Sequence, residues 1–321
     1  MSAGREVRPA DPRDRMHTER PDQDVMTNPR ADRVKRVARL AGRSARLREA
    51  LFLAEGPQSS REALRLHLGE LPARAWRHGS VVESVYVSES WDGHDDGLAA
   101  LVDQVASLRV PVRRASAEVL AAMSDAVSPQ GIVTVCRVPQ ALRPADRHAS
   151  SDRLRERVEN VVPETARLVA VLCRVQDPGN AGTIIRAADA AGADAVLLTG
   201  GSVDVLNPKT VRSTAGSLFH LPVASGVDVG LAAQVLGERG MQLLAADGYG
   251  EVRLDRAPQG LLEAPSAWLF GNEAQGLDEA ERELATHRVA VPLYGAAESL
   301  NVGTAATVCL YGSAMAQHQG A

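Results

Sequence analysis

From Ala166 to the C-terminus, short apolar runs alternate with segments of helical composition: LVAVLC, AVLLTG, MQLLAAD, AWLFG and RVAVPL, with helices after Asn207-Pro208 and near VGLAAQVLGE. Each apolar run reads as a strand, and strands alternating with helices argue for a parallel sheet covered on both faces. Joining such strands in parallel takes a crossover, usually a helix. The sequence therefore predicts an α/β domain with a mostly parallel sheet covered by helices on both sides. A further segment near LPVAS and a long final helix complete it.

The full 321 residues suit two domains, each large enough for its own core. Residues 1–32 hold six Arg, seven Asp/Glu, several prolines and almost no aliphatic residues. Such a segment buries too little apolar surface to offset its ordering entropy, and a disordered leader is expected. From Arg33 to Arg48 come seven basic residues and no acid, with Val34, Val37, Leu40 and Leu47 near helical spacing. That pattern predicts one amphipathic helix whose basic face carries Arg36, Arg39 and Arg43. A small α/β domain over 33–138 follows from LFLAEGPQSSREAL, SVVESVYVS and SPQGIVTVCRV. Residues 139–164, polar and proline-bearing with a helical SSDRLRERVEN stretch, read as a linker, leaving 165–321 for the second domain.

Charge separates the two ends. Net charge is −4, but Arg33 to Ser80 carries eleven Arg/Lys against four Asp/Glu, and Ala264 to Ala321 two Arg against six Asp/Glu. A basic arm on an acidic body suits a chain that grips phosphate with one region only. Aromatics make up 3% of residues, too few for a sheet or barrel that binds RNA by stacking many rings. Cys136, Cys173 and Cys309 are odd in number and unpaired by spacing, so neither a disulfide framework nor a zinc site is expected and a reducing cytoplasm is. No apolar run is long enough for a membrane span. Dinucleotide, phosphate-loop and nucleophile-elbow signatures are missing, and the eight histidines lack metal spacing.

Asp177-Pro178-Gly179 is a turn that opens a helix with Asn180 and Gly182 in its first turn, where free backbone N–H groups can capture an anion. Arg186 lies among Ile184, Ile185, Ala187 and Ala188, so its charge is either exposed or needs a partner. In Phe270-Gly271-Asn272-Glu273 an apolar strand yields to a loop, and Gly271 and Gly276 let backbone approach a ligand closely. Ser299 and Asn301 precede a small-residue helix and are both helix-capping types, which leaves capping and function open together. Lys209 and Arg212 are candidate phosphate contacts or ordinary surface charges.

Together, DPGNAGTIIRAADAAG, LFGNEAQGL and VPLYGAAESLNVGTAA resemble the three signature motifs of the SpoU/TrmH family, the knotted RNA ribose 2′-O-methyltransferases of the SPOUT class. LFLAEG, its helix and PQGIVTV resemble the small substrate-binding domain found before SpoU catalytic domains, akin to RNA-binding ribosomal proteins. The overall layout is also similar to the thiopeptide- and orthosomycin-resistance rRNA methyltransferases within that family. The resemblance implies a C-terminal α/β trefoil knot, S-adenosylmethionine as methyl donor, no metal, an RNA substrate and a homodimer whose catalytic domains meet beside the knot. It implies catalytic roles for Arg186, Asn180, Glu273, Ser299 and Asn301. Cofactor contacts would come from Thr199, Gly200, Gly271, Asn272, Gly276, Val291 and Leu300, and RNA contacts from Lys209 and Arg212. A guanidinium is always protonated, so Arg186 fits phosphate anchoring or alkoxide stabilisation better than a general base. The two-domain layout favours 23S rRNA. A tRNA substrate, or a non-catalytic RNA-binding or ribosome-assembly protein on the same fold, are the alternatives.

Overall fold

The computed structural model describes residues 25–319 apart from 73, 75, 77, 92–95 and 144–149. The leader expected over 1–32 therefore lies outside the described residues up to position 24. Its last part is held: the Met26 N–H donates to the Arg114 carbonyl and its own carbonyl accepts from Ser116.

The N-terminal half runs α1 (Asp32–Ala38), α2 (Arg43–Glu49), β1 (Leu51–Glu55), α3 (Pro57–Leu68), β2 (Val82–Ser88), α4 (Asp96–Ser107), β3 (Val112–Ala115), α5 (Ala117–Met123) and β4 (Ile132–Arg137). Its sheet has the order β1-β4-β2-β3, with β1 and β2 antiparallel to β4 and β3 parallel to β2. The single basic helix expected over 33–48 is instead two helices separated by a 3-10 turn at Arg39–Ala41 and an extended Gly42. The break shifts the helical phase. Val34, Val37 and Leu40 are buried as expected, but beyond Gly42 it is Arg46 that is buried, at 3% exposure, and Leu47 that is exposed, at 49%.

The C-terminal half runs α6 (Ser151–Glu159), β5 (Leu168–Leu172), α7 (Pro178–Ala190), β6 (Ala195–Thr199), α8 (Pro208–Ser213), β7 (Val223–Val227), α9 (Val229–Glu238), β8 (Gln242–Ala246), β9 (Val252–Arg253), β10 (Ser266–Phe270), α10 (Glu279–Glu283), β11 (His287–Ala290) and α11 (Val302–His318). All of its strand pairs are parallel, in the order β7-β6-β5-β10-β8-β11-β9. Both faces are packed, which is why the runs are apolar throughout: Leu168, Ala170 and Leu172 face α7 and α11, while Val169, Val171 and Cys173 face α6 and α9. The indole N–H of Trp268 donates to Ser313 Oγ at 3.0 Å in the core, fixing α11 across β10. Within the described part of the segment read as a linker, Val158, Val161 and Val162 are part of the core on the α9 side.

Nor are the two cores separate. Phe52 of β1 stacks on Phe219 with ring centroids 6.2 Å apart, and Trp76 lies 5.3 Å from Phe219. Ion pairs from Arg212 to Glu55 and from Arg46 to Asp204 cross the same boundary. Buried aromatic area of this kind dominates packing energetics, so the domains are held in one orientation.

Candidate active site

The sheet reverses direction at its centre. From β5 the chain moves outward through β6 and β7, crosses to β8 and β9, and returns to insert β10 between β5 and β8. In parallel sheets such a reversal leaves a crevice at the C-terminal strand ends, where ligands bind. The loops after β5, β6, β10 and β11 carry the sequence-selected residues, and all leave from that end.

Asp177 caps α7 by accepting the Asn180 N–H at 2.8 Å, and Pro178 supplies the preset first-turn geometry. A Cβ at Gly182 would lie 2.4 Å from Ser213 Cβ and 2.8 Å from the Thr210 carbonyl oxygen, so only glycine lets α8 sit this close to α7.

Glu273 reaches from the β10 loop to this helix start. Its carboxylate accepts the Gln176 N–H at 3.1 Å, the Asp177 N–H at 3.0 Å and the Asn180 Nδ2 amide at 3.1 Å. Burial alone would raise its pKa, but the Asp177, Asn180 and Gln176 donors outweigh it and hold the carboxyl below its ordinary range. Asn180 then passes the contact on, since its Oδ1 accepts from Asn301 Nδ2 at 2.9 Å. The Asn301 Oδ1 is occupied with capping α11, accepting from Gly303 at 2.9 Å and Thr304 at 3.3 Å. Three motifs distant in sequence are thereby joined by amide and carboxylate hydrogen bonds.

The β10 loop closes on itself through paired backbone bonds between Asn272 and Gly276 of 3.0 and 2.8 Å. A Cβ at Gly271 would stand 2.3 Å from both the Gly276 carbonyl carbon and the Leu277 nitrogen, and Gly276 has a φ of +67°. Asn272 anchors the loop by donating to the Arg174 carbonyl at 2.9 Å. Sequence reasoning missed Arg174. It lies immediately after the β5 apolar run with a φ of +57°, forms a two-pronged pair with Glu281 at 2.9 and 2.6 Å, and donates its N–H to Thr199 Oγ1 at 3.0 Å. It thus locks the β5, β6 and β10 loops together. Positive φ at a non-glycine residue and a partner 107 positions away leave no local signal.

The remaining positions fall as follows. Thr199 is buried and begins the turn at Gly200. Val291 and the 38% exposed Leu300 flank the exposed loop that holds Ser299. Arg186 projects from the exposed side of α7, and among the described residues no carboxylate pairs with it. Arg36, Arg39 and Arg43 are exposed. Lys209 is 3.8 Å from Asp177 at the start of α7. Arg212 pairs with the buried Glu55 and with Asp125 at 3.1 Å across the domain boundary.

Residues 167–311 match the model of the SpoU rRNA Methylase family, and residues 73–142 match that of RNA 2′-O ribose methyltransferase substrate binding. The 23S rRNA (guanosine(2553)-2′-O)-methyltransferase RlmP of Bacillus subtilis is 39% identical over 200 residues, 61% of this chain and 69% of that protein. The 23S rRNA (guanosine-2′-O-)-methyltransferase RlmB of Pseudomonas putida is 29% identical over 73% of this chain and 88% of its own. The crystal structure of the SpoU methyltransferase AviRb from Streptomyces viridochromogenes, in complex with the cofactor AdoMet, superposes with a TM-score of 0.68 at 27% identity, covering 90% of this chain and 100% of that one.

Proposed function

The chain belongs to the SpoU rRNA methylase family, and we propose that its linked motif loops form one site that methylates a ribose 2′-hydroxyl of 23S ribosomal RNA. It is an S-adenosylmethionine-dependent RNA ribose 2′-O-methyltransferase with a SPOUT α/β fold behind a substrate-binding domain. The observation that carries the site assignment is the continuous link Glu273–Asn180–Asn301, which ties the starts of α7 and α11 to the β10 loop.

The donor set suits S-adenosylmethionine. Gly271 and Gly276 keep side chains away from the β10 loop, Thr199–Gly200 and Val291 offer backbone polar groups, and Leu300 offers an exposed apolar surface. When bound, the cofactor supplies a sulfonium methyl electrophilic enough to react without a metal. The protein's own tasks are alignment, water exclusion and stabilisation of the emerging oxyanion. Arg186 has an uncompensated charge for the last task or for anchoring a phosphate. Glu273, held ionised, orients Asn180; Asn180 and Asn301 position the ribose with Ser299. Arg36, Arg39, Arg43 and Lys209 provide charge for the RNA backbone.

The active form is a homodimer in the cytoplasm. Supporting the homodimer, Thr304, Val308, Tyr311 and Met315 form an exposed, largely apolar stripe at helical spacing on α11. The experiment is tritiated-methyl transfer from S-adenosylmethionine to deproteinised ribosomal RNA and to bulk tRNA, followed by nucleoside analysis. Label in a 2′-O-methylnucleoside of rRNA is expected. Label confined to tRNA replaces the substrate, and absence of both label and cofactor binding overturns the reading.

A further inference from the structure

A cavity of about 350 Å³ opens between the two domains, and the Thr199–Gly200 turn assigned above to the cofactor forms part of its wall. Its N-terminal wall is Arg43, Arg46 and Leu47 of α2 with Leu142 and Arg143, and its opposite wall includes Gly200, Gly201 and Asp204. That volume falls in the range of pockets that take a small organic group.

The wall is built rather than accidental. Arg46 is 97% buried, donating to the Leu40 carbonyl at 2.8 Å, the Ala41 carbonyl at 2.6 Å and Asp204 Oδ2 at 2.7 Å across the domain boundary, while its Nε has no partner. Asp204 is the acid among these lining groups, and Arg46 already pairs with it. Arg157 donates to the Arg143 carbonyl, fixing the chain at the cavity rim. Two cations are left over: Arg43 and Arg143 are both exposed, and among the described residues neither pairs with a carboxylate. Leu47, left half exposed by the helix break at Gly42, and the buried Leu142 line the same cavity.

A pocket lined by leucines and by two uncompensated guanidinium groups suits a ligand that joins an apolar face to an anionic group. We propose that this interdomain cavity is a nucleotide subsite for the RNA substrate, taking one single-stranded nucleotide with its base against Leu47 and Leu142 and its phosphodiester on Arg43 and Arg143. The proposal rests on the RNA methyltransferase reading and deepens it. Because both domains line the cavity, a nucleotide held there sets the register between RNA gripped by the N-terminal domain and the ribose presented at the motif loops.

The test uses the full chain, in vitro transcribed 23S rRNA and filter binding, which needs no turnover. Arg43→Gln/Arg143→Gln is expected to raise the RNA Kd about tenfold and to lower the slope of log Kd against log salt by about 0.7 for the one lost single-strand phosphate contact. S-adenosylmethionine affinity, read by calorimetry, is expected to stay within about twofold. Leu47→Asp, which keeps both arginines and places like charge beside the phosphate, is expected to weaken RNA binding comparably. Thermal melts of both variants confirm folding. Unchanged RNA affinity and salt slope would overturn the proposal, as would a variant that loses cofactor affinity but binds RNA normally, since the cavity would then serve the cofactor. Adenosine and guanosine monophosphate are the second arm: tight binding of either with no effect of the double variant on RNA would assign the cavity to a free nucleotide instead. If wild-type protein methylates no RNA but shows these RNA-binding changes, the enzymatic reading fails and the subsite stands.

Discussion

Asn301 and Asn180 lie 121 residues apart, yet the Asn301 side-chain amide donates to Asn180 Oδ1 at 2.9 Å. Each is at the start of a helix, and each uses its remaining polar groups elsewhere: Asn180 on Glu273, Asn301 on the first turn of α11. One side chain therefore does two jobs, capping and cross-linking, and the two can be separated by mutation.

Asn301→Asp keeps an acceptor for Gly303 and Thr304 but removes the donor to Asn180. It is expected to melt within about 2 °C of wild type while methyl transfer falls at least about tenfold. Asn301→Ala also loses the cap and about 1 kcal/mol of stability. Equal activity of the Asp variant and wild type would reduce Asn301 to a cap.

Arg186 has no acidic partner among the described residues, so removing it leaves no orphaned charge behind. Arg186→Ala is expected to lower single-turnover methyl transfer by about 10²–10³-fold, the scale of losing one charge-stabilising donor, with little change in melting temperature or cofactor affinity. Arg186→Lys recovers only part of the rate, because a point charge cannot replace a planar fork. Turnover near wild type in the Ala variant would remove the residue from the chemistry.

A methyl group at Gly271 would press into backbone rather than a movable side chain. Gly271→Ala is expected to cost about 3 kcal/mol and to abolish S-adenosylmethionine binding at temperatures where the chain is still folded. Calorimetry on the folded variant reads this directly, and normal cofactor affinity would place the site elsewhere.

His220 links the domains by hydrogen bonds to Asp189 at 2.7 Å and Glu62 at 3.0 Å, and these two carboxylates raise its pKa from 6.5 to about 9. A raised folded-state pKa means stabilisation that is complete below pH 6.5 and lost as pH climbs through 9. With the ring 31% exposed, solvent screening leaves on the order of 1 kcal/mol, a few degrees in Tm. His220→Gln should therefore lower Tm near pH 6.5 and converge on wild type above pH 9.5 or so. A constant difference across that range would show that packing, not charge, is what His220 contributes.

If α11 is the dimer surface, a charge in its apolar stripe will be unpaired on association. Met315→Glu, at a position already 58% exposed, is expected to leave the fold intact and shift light-scattering mass from dimer to monomer. Persistence of the dimer in that variant would move the interface off this face.

Local physics made much of the chain legible. Strands alternating with helices pointed to a parallel sheet covered on both faces, because each parallel return needs a crossover, and Leu168–Leu172 is buried throughout. Asp177 and Asn301 could be placed at helix starts because capping is a one-turn interaction. Gly271 could be suspected because a glycine at a strand end marks close backbone approach. Tertiary structure alone decided the rest. Arg46 is buried and Leu47 exposed because Gly42 resets the helix phase and an acceptor, Asp204, waits on the other domain. Arg212 is paired across the domain boundary with Glu55, 157 residues away. Arg174 is joined to Glu281, and Asn180 to both Glu273 and Asn301, by a sheet that inserts its later strand β10 beside its first, β5. Periodicity and capping are set within a turn or two of chain, whereas the partner of a charged or amide side chain is set by which strand ends the sheet order makes neighbours.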